Sequence, residues 1–174
     1  MKRIHRELKY QGKILSFYQD TMETPDGETV LWDFIHHNGA AAVVPVAPDG
    51  KIYMVSQYRS GLEAMSLEIP AGCLNPGEDR MTAAARELEE EIGQKCGKIE
   101  LLLKFHSSFA YCDEYIEIFC ATELTPTKQN LDEDEFLEVK KYSIEELTQM
   151  ILAGEITDSK TIAALLAYKE KYLK

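Results

Sequence analysis

Residues 70–93 constrain this chain more than any other stretch. The segment opens on two turn triplets, Pro70-Ala71-Gly72 and Asn75-Pro76-Gly77, and closes on Gly93. Over residues 79–92 the apolar side chains Met81, Ala84, Ala85, Leu88 and Ile92 recur at helical spacing. That pattern predicts an amphipathic helix with this stripe as its core face and Gly93 as its left-handed stop. With Leu88 at the centre of the stripe, Glu91 lies about 60° to one side, Glu87 about 100° to the same side and Glu90 near 160°. Glu87 and Glu91 are therefore stacked one turn apart beside the core edge, and Glu90 flanks them. Like charges at that spacing repel by a few tenths of a kcal/mol per pair. A solvated acidic face tolerates such repulsion. A divalent cation would relieve it, because Mg²⁺ takes oxygen ligands, usually one or two carboxylates with water and substrate phosphates.

Around this helix the chain reads as strands and turns. Residues 14–18 and 29–35 flank Pro25-Asp26-Gly27 and suggest a hairpin. Residues 40–46 form a short apolar run, Pro48-Asp49-Gly50 follows as a turn, and residues 52–57 read as a strand buried on both faces. Residues 99–105, 115–121 and 136–142 are further strand candidates. Ser143-Ile144-Glu145-Glu146 is a capping box for a helix running to Gly154. Asp158 caps a last helix expected to turn Ile162, Leu165, Leu166 and Leu173 inward. Strands with one central helix and two terminal helices give an α+β layered domain.

The net charge is −11. That argues against a nucleic-acid groove, which needs a basic face, whereas anionic substrates remain accessible if divalent cations lie between. The acid gathers in two places, residues 87–91 and 132–138. No segment approaches the roughly 18 consecutive apolar residues of a membrane span. The amino end is charged and lacks the apolar run of a secretory signal. Cys73, Cys96, Cys112 and Cys120 show no metal-ligand spacing and read as reduced thiols. The expectation is a cytoplasmic protein without membrane or nucleic-acid partners.

Gly72 is followed by five residues, Glu78, seven residues, and then Arg86-Glu87-Leu88-Glu89-Glu90-Glu91-Ile92-Gly93. This run resembles the signature of the Nudix hydrolases, Gly-x5-Glu-x7-Arg-Glu-aliphatic-x-Glu-Glu-x-Gly-aliphatic. It departs only at the last position, where Gln94 replaces an aliphatic residue. The resemblance implies the Nudix fold, mixed β-sheet layers sandwiched between α-helices, here with an amino-terminal antiparallel β extension. Residues 1–38 would form that extension and residues 39–174 the Nudix domain. It implies Mg²⁺-dependent hydrolysis of a nucleoside diphosphate linked to another group, with Mn²⁺ able to substitute. Glu87, Glu90 and Glu91 match the family's metal-binding carboxylates, and the Ala71 carbonyl a further ligand. Arg86 and Glu78 match a pair that tethers helix to loop and orients the glutamates.

Gln57-Tyr58-Arg59, Leu67-Glu68-Ile69-Pro70-Ala71-Gly72 and residues 158–165 are similar to the ADP-ribose pyrophosphatase branch. That branch implies substrate-binding roles for Arg59, at the phosphates, and for Glu68. It implies a water-handling glutamate in the acidic loop, where Glu133 and Glu135 both qualify. It also implies a homodimer built through amino-terminal strands, and stacking of Trp32 on a base. Aromatic–base stacking is worth about 1–3 kcal/mol. One stretch departs from the branch: Phe109 and Ala110 stand where Pro-Gly is usual. ADP-ribose cleavage to AMP and ribose 5-phosphate is the leading expectation, with a GDP-sugar or other nucleotide sugar as the alternative. A Nudix-fold binding protein without turnover would be expected to lack box carboxylates, and here all are present.

Overall fold

In the computed structural model, residues 1–131 and 136–173 are described. Among them the elements run β1 (Lys2–Gln11), β2 (Leu15–Glu23), β3 (Thr29–His37), β4 (Ala40–Pro45), β5 (Ile52–Arg59), β6 (Ala64–Glu68), β7 (Ala71–Cys73), α1 (Arg80–Ile92), β8 (Gln94–His106), β9 (Tyr115–Pro126), β10 (Leu137–Tyr142), α2 (Ile144–Leu152) and α3 (Ser159–Tyr172). They fall into two compact units, Met1–Gly39 with Phe105–Ile116, and Ala40–Lys104 with Glu117–Lys174.

The first unit is the antiparallel sheet β1-β2-β3. The expected hairpin is β2–β3, in register from Leu15↔His37 to Glu23↔Thr29. Its turn is closed by Gly27, whose φ of 90° suits glycine. β1 has no counterpart in the sequence reading, because its charged residues mask any apolar alternation. It is ordered by its ladder with β2 and by Arg6. That guanidinium makes two 2.6 Å hydrogen bonds to the Asp20 carboxylate and lies 3.7 Å from the Phe34 ring centroid, a cation–π contact. The 105–116 segment joins this unit through backbone bonds from Ile35 to Tyr111 O (2.7 Å) and from Asp113 to Ile35 O (3.2 Å).

The second unit contains two sheets, β10-β5-β6 and β7-β4-β9-β8. All six residues of β4 are buried, and α1 packs on β4 and β7. A seam of small residues runs through this contact: Ala41 on β4, Ala83 and Ala84 on α1 and Ala121 on β9 are all fully buried. Val43, Val55, Leu88, Ile92 and Phe119 complete the same core. Alanine pairs let a helix axis approach a sheet closely, and that approach decides where the α1 side chains end up.

The helix face differs from the expected stripe. Ala83, Ala84, Glu87, Leu88, Glu91 and Ile92 are buried, whereas Met81 is 41% exposed and Ala85 is half-buried. The buried arc is rotated toward Ala84 and Glu91, so both carboxylates lie within it instead of beside it. The Gly93 stop is as expected. The Asp79 side chain accepts from Thr82 N–H, and Gly93 has φ 62°. On α3, Thr161, Ala164, Leu165 and Tyr168 face inward. Leu166 and Leu173, expected inward, are exposed, because the helix meets its neighbours with its 161/164/165/168 face. Strand β7 falls on the Pro70-Ala71-Gly72 turn triplet, and β6 has no counterpart in the sequence reading.

Candidate active site

The turn 70–72 and helix α1 build the site together. β7 is held to β4 in the register Ala42↔Ala71, Ala41↔Gly72, Ala40↔Cys73. Its first two residues lie against α1. Ala71 N–H donates to Glu91 Oε2 (3.2 Å). A Cβ on Gly72 would fall 1.9 Å from Glu87 Oε1, so the carboxylate fills the space a side chain would take. Glu87 is 7% exposed and Glu91 2%. Two buried carboxylates one turn apart are costly in a helix that serves only to fold.

Arg86 organises the neighbouring charges. Its Nε and Nη2 donate to the two Glu78 oxygens (2.9 and 3.0 Å). Its Nη1 donates to Glu87 Oε1 and Glu90 Oε2, each at 2.7 Å, and Nη2 also reaches the Cys73 carbonyl (3.2 Å). Such bidentate, charge-assisted bonds are strong and geometrically specific. Three carboxylates share one guanidinium, so the group stays anionic. The Arg86 hydrogen bonds bring the Glu78 carboxyl down from 4.5 to about 2. Because the folded-state value is depressed, this contribution to stability is present above pH 4.5 and is lost as pH falls toward 2. The melting temperature should therefore drop across that acid window in the wild type and less in Glu78→Gln, as followed by circular dichroism.

Glu87, Glu90 and Glu91 carry carboxylate oxygens, the ligand type a hard divalent cation takes. Among the described residues, no three acidic, histidine or cysteine side chains are set to hold a metal ion; Arg86 Nη1 bridges Glu87 and Glu90.

The second charged group lies at the other end of the same turn. Arg59 donates from Nε and Nη2 to the two oxygens of Glu68 (2.8 and 2.7 Å), and Lys160 also donates to Glu68. Lys160 reaches Asp158 as well, at 3.0 Å. Burial pushes the Glu68 carboxyl up, but Arg59 and Lys160 outweigh it and bring it down to about 2. Arg59, Ser66, Glu68, Asp158 and Lys160 line a cleft of about 300 Å³. Another, of about 530 Å³, opens along the outer side of α1 between Arg86, Glu89, Glu90, Lys95 and Lys128.

The structure thus brings Glu78, Arg86, Glu87, Glu90, Glu91 and Ala71 together, and Arg59 together with Glu68. Trp32 stands half-exposed on β3 in the first unit, and Phe109 and Ala110 are exposed on its 105–116 segment. Glu133 and Glu135 lie outside the described residues. Lys160 and Thr161 carry no role in the sequence reading; the signal for them is their place two and three residues after the Asp158 cap. All four cysteines are free, and among the described residues no helix is long and apolar enough to cross a membrane.

Residues 36–165 match the family model described as NUDIX domain. Over 99% of its length the chain is 38% identical to an ADP-ribose pyrophosphatase of Bacillus subtilis strain 168, covering 92% of that protein. It is also 40% identical to a methanol dehydrogenase activator of Bacillus methanolicus, over 94% of this chain and 90% of that one. A crystal structure of an ADP compounds hydrolase superposes with a TM-score of 0.88 at 22% identity, covering 97% of this chain and 92% of the other. The fold is therefore the Nudix fold, with the amino-terminal antiparallel strands β1–β3 in addition. A family match that spans most of the chain and includes the helix carrying Glu87 and Glu91 makes this protein a member of the Nudix hydrolase family.

Proposed function

We propose that this enzyme hydrolyses ADP-ribose to AMP and ribose 5-phosphate. The observation that carries the reading is the pair of buried carboxylates, Glu87 and Glu91, set against Ala71 and Gly72 in a chain 38% identical throughout to an ADP-ribose pyrophosphatase. Glu87, Glu90, Glu91 and the Ala71 carbonyl would hold Mg²⁺, or Mn²⁺ in its place. When bound, the cation neutralises the diphosphate and lowers the pKa of water. Arg86 keeps Glu87 and Glu90 oriented, and Glu78 keeps Arg86 in place. Arg59, held by Glu68 yet 43% exposed at its side chain, presents a guanidinium to the substrate phosphates. Either Glu133 or Glu135 takes the proton of the attacking water. The water oxygen bonds to one phosphorus, the bond from that phosphorus to the bridging oxygen breaks, and the bridging oxygen leaves as an anionic phosphomonoester oxygen of the second product.

A second substrate class has its own support. Phe109 is 83% exposed and Ala110 lacks the backbone freedom of glycine, so the stretch that replaces Pro-Gly differs in shape from the usual one. Discrimination by shape alone is worth about 1–3 kcal/mol per methylene-sized change. Activity on ADP-ribose should therefore come with activity on at least one other nucleotide sugar, within about a hundredfold in kcat/KM. A panel of ADP-ribose, ADP-glucose, GDP-mannose, NADH and dGTP, with product identification, tests this. Predominant dGTP hydrolysis would refute the substrate assignment. Excess chelator should abolish turnover, and added Mg²⁺ or Mn²⁺ should restore it; full turnover in chelator would refute the metal dependence.

The same reading places the enzyme in the cytoplasm, consistent with four free thiols, and makes it a homodimer. Ile4, Leu8, Leu31 and Trp32 on the β1–β3 sheet are all exposed in the single chain, and apolar surface of this kind favours a partner. In the dimer Trp32 stacks on the adenine. Light scattering should give twice the chain mass; a clean monomer at working concentration would count against both points.

A further inference from the structure

Segment 69–72 sets the positions of the two buried carboxylates, through Ala71 N–H on Glu91 and the bare Cα of Gly72 beside Glu87. β4 holds one side of that segment, by the β7 ladder and by Val43 N–H donating to the Pro70 carbonyl (3.0 Å). The start of the segment is held by something else. Ile69 N–H donates to Thr161 Oγ1 at 3.0 Å, and both residues are fully buried or nearly so. A buried backbone N–H needs a partner, and this one is supplied by a side chain from a distant helix. One residue earlier, Glu68 accepts from Lys160.

Lys160 and Thr161 are themselves fixed by one group. Asp158, the cap of α3, accepts from Thr161 N–H (3.0 Å) and from Lys160 Nζ (3.0 Å). The helix behind them is seated by Ala164, Leu165 and Tyr168. The cap thus aims two consecutive side chains at two consecutive residues of the turn, 92 positions away in sequence for each pair.

We propose that Lys160 and Thr161 are positioning residues, and that the first turn of α3 clamps residues 68–69 so that Ala71 and Gly72 hold Glu91 and Glu87 where a divalent cation can bind. This rests on the reading that those carboxylates are the cation's ligands. Neither residue touches substrate or cation in this scheme. Their effect passes through the turn.

The test is Mn²⁺ titration of the full chain without substrate, with the free ion read by electron paramagnetic resonance. Partners that orient metal ligands typically contribute about 10–100-fold to affinity. Thr161→Val, which keeps the shape and removes the acceptor, should weaken Mn²⁺ binding by about tenfold or more. Thr161→Ser, which keeps the hydroxyl, should restore it to within a few-fold of wild type. Lys160→Gln should weaken binding in the same direction, giving a second reading should Thr161→Val fail to fold. Thr148→Val is the control: that buried hydroxyl donates to the Ile144 carbonyl at 2.6 Å and accepts from Lys169 Nζ at 3.4 Å, neither partner belonging to residues 68–72. It should lower the melting temperature without moving Mn²⁺ affinity. Wild-type affinity in both Thr161→Val and Lys160→Gln would overturn the proposal, as would an equal loss in Thr148→Val. If Glu91→Gln binds Mn²⁺ as wild type does, the carboxylate reading itself fails, and the proposal with it.

Discussion

Glu91→Gln is expected to lower kcat by about 10³-fold, equivalent to about 4 kcal/mol in the barrier, while leaving the fold intact. The side chain is 2% exposed, and an amide oxygen can still accept from Ala71 N–H. What the substitution removes is the charge. Glu87→Gln should cost comparable activity but behave differently in stability. Glu87 Oε1 receives Arg86 Nη1 at 2.7 Å, so neutralising it weakens a charge-assisted bond. The melting temperature should fall more for Glu87→Gln than for Glu91→Gln, against the simpler expectation that relieving like charges on a helix raises it. Steady-state kinetics at saturating Mg²⁺ with parallel calorimetry would decide. Losses below about tenfold in both variants would remove them as metal ligands.

Gly72→Ala is the second large effect, and it separates activity from stability. The added Cβ would fall 1.9 Å from Glu87 Oε1 and 2.3 Å from its Cδ, and both atoms belong to the end of a flexible side chain. The fold has a cheap escape, which is to swing the carboxylate aside. The site has none, because swinging it breaks the contact with Arg86 and displaces a charge by more than an ångström. Misplacement on that scale can cost about 10²-fold in rate. The expected result is a drop in kcat of at least about 10²-fold with a melting temperature only a few degrees lower. A variant with near wild-type turnover would mean that Glu87 need not sit where this glycine lets it.

The elements that sequence reveals are those defined by local pattern. α1 and its Gly93 stop follow from spacing within a few residues, as does the capping box of α2. β1, β6 and β7 depend on partners instead. β7 is three residues long and exists because β4 lies beside it. The rotation of α1 escapes pattern reading for a related reason. Hydropathy assigns a carboxylate outward, yet Glu87 is buried where Gly72 leaves room for it. At the site, the spacing of Arg86 and the glutamates is visible in sequence. The sharing of one guanidinium among Glu78, Glu87 and Glu90 is not, since it depends on where the Asn75–Glu78 turn lands. The link from Lys160 to Glu68 spans 92 residues, beyond any local rule.

The alanine seam between α1 and β4 bears on how such an enzyme could be engineered. Directed evolution for thermostability commonly fills small-residue contacts with larger apolar side chains. At Ala41, Ala83 or Ala121 the added methylenes would push the helix away from the sheet and carry Glu87 and Glu91 with it, off Gly72 and Ala71. Selection for heat resistance alone would then enrich proteins that survive heating and have lost their chemistry. The positions to exclude from such a library are the smallest residues of the core, none of which would contact a substrate.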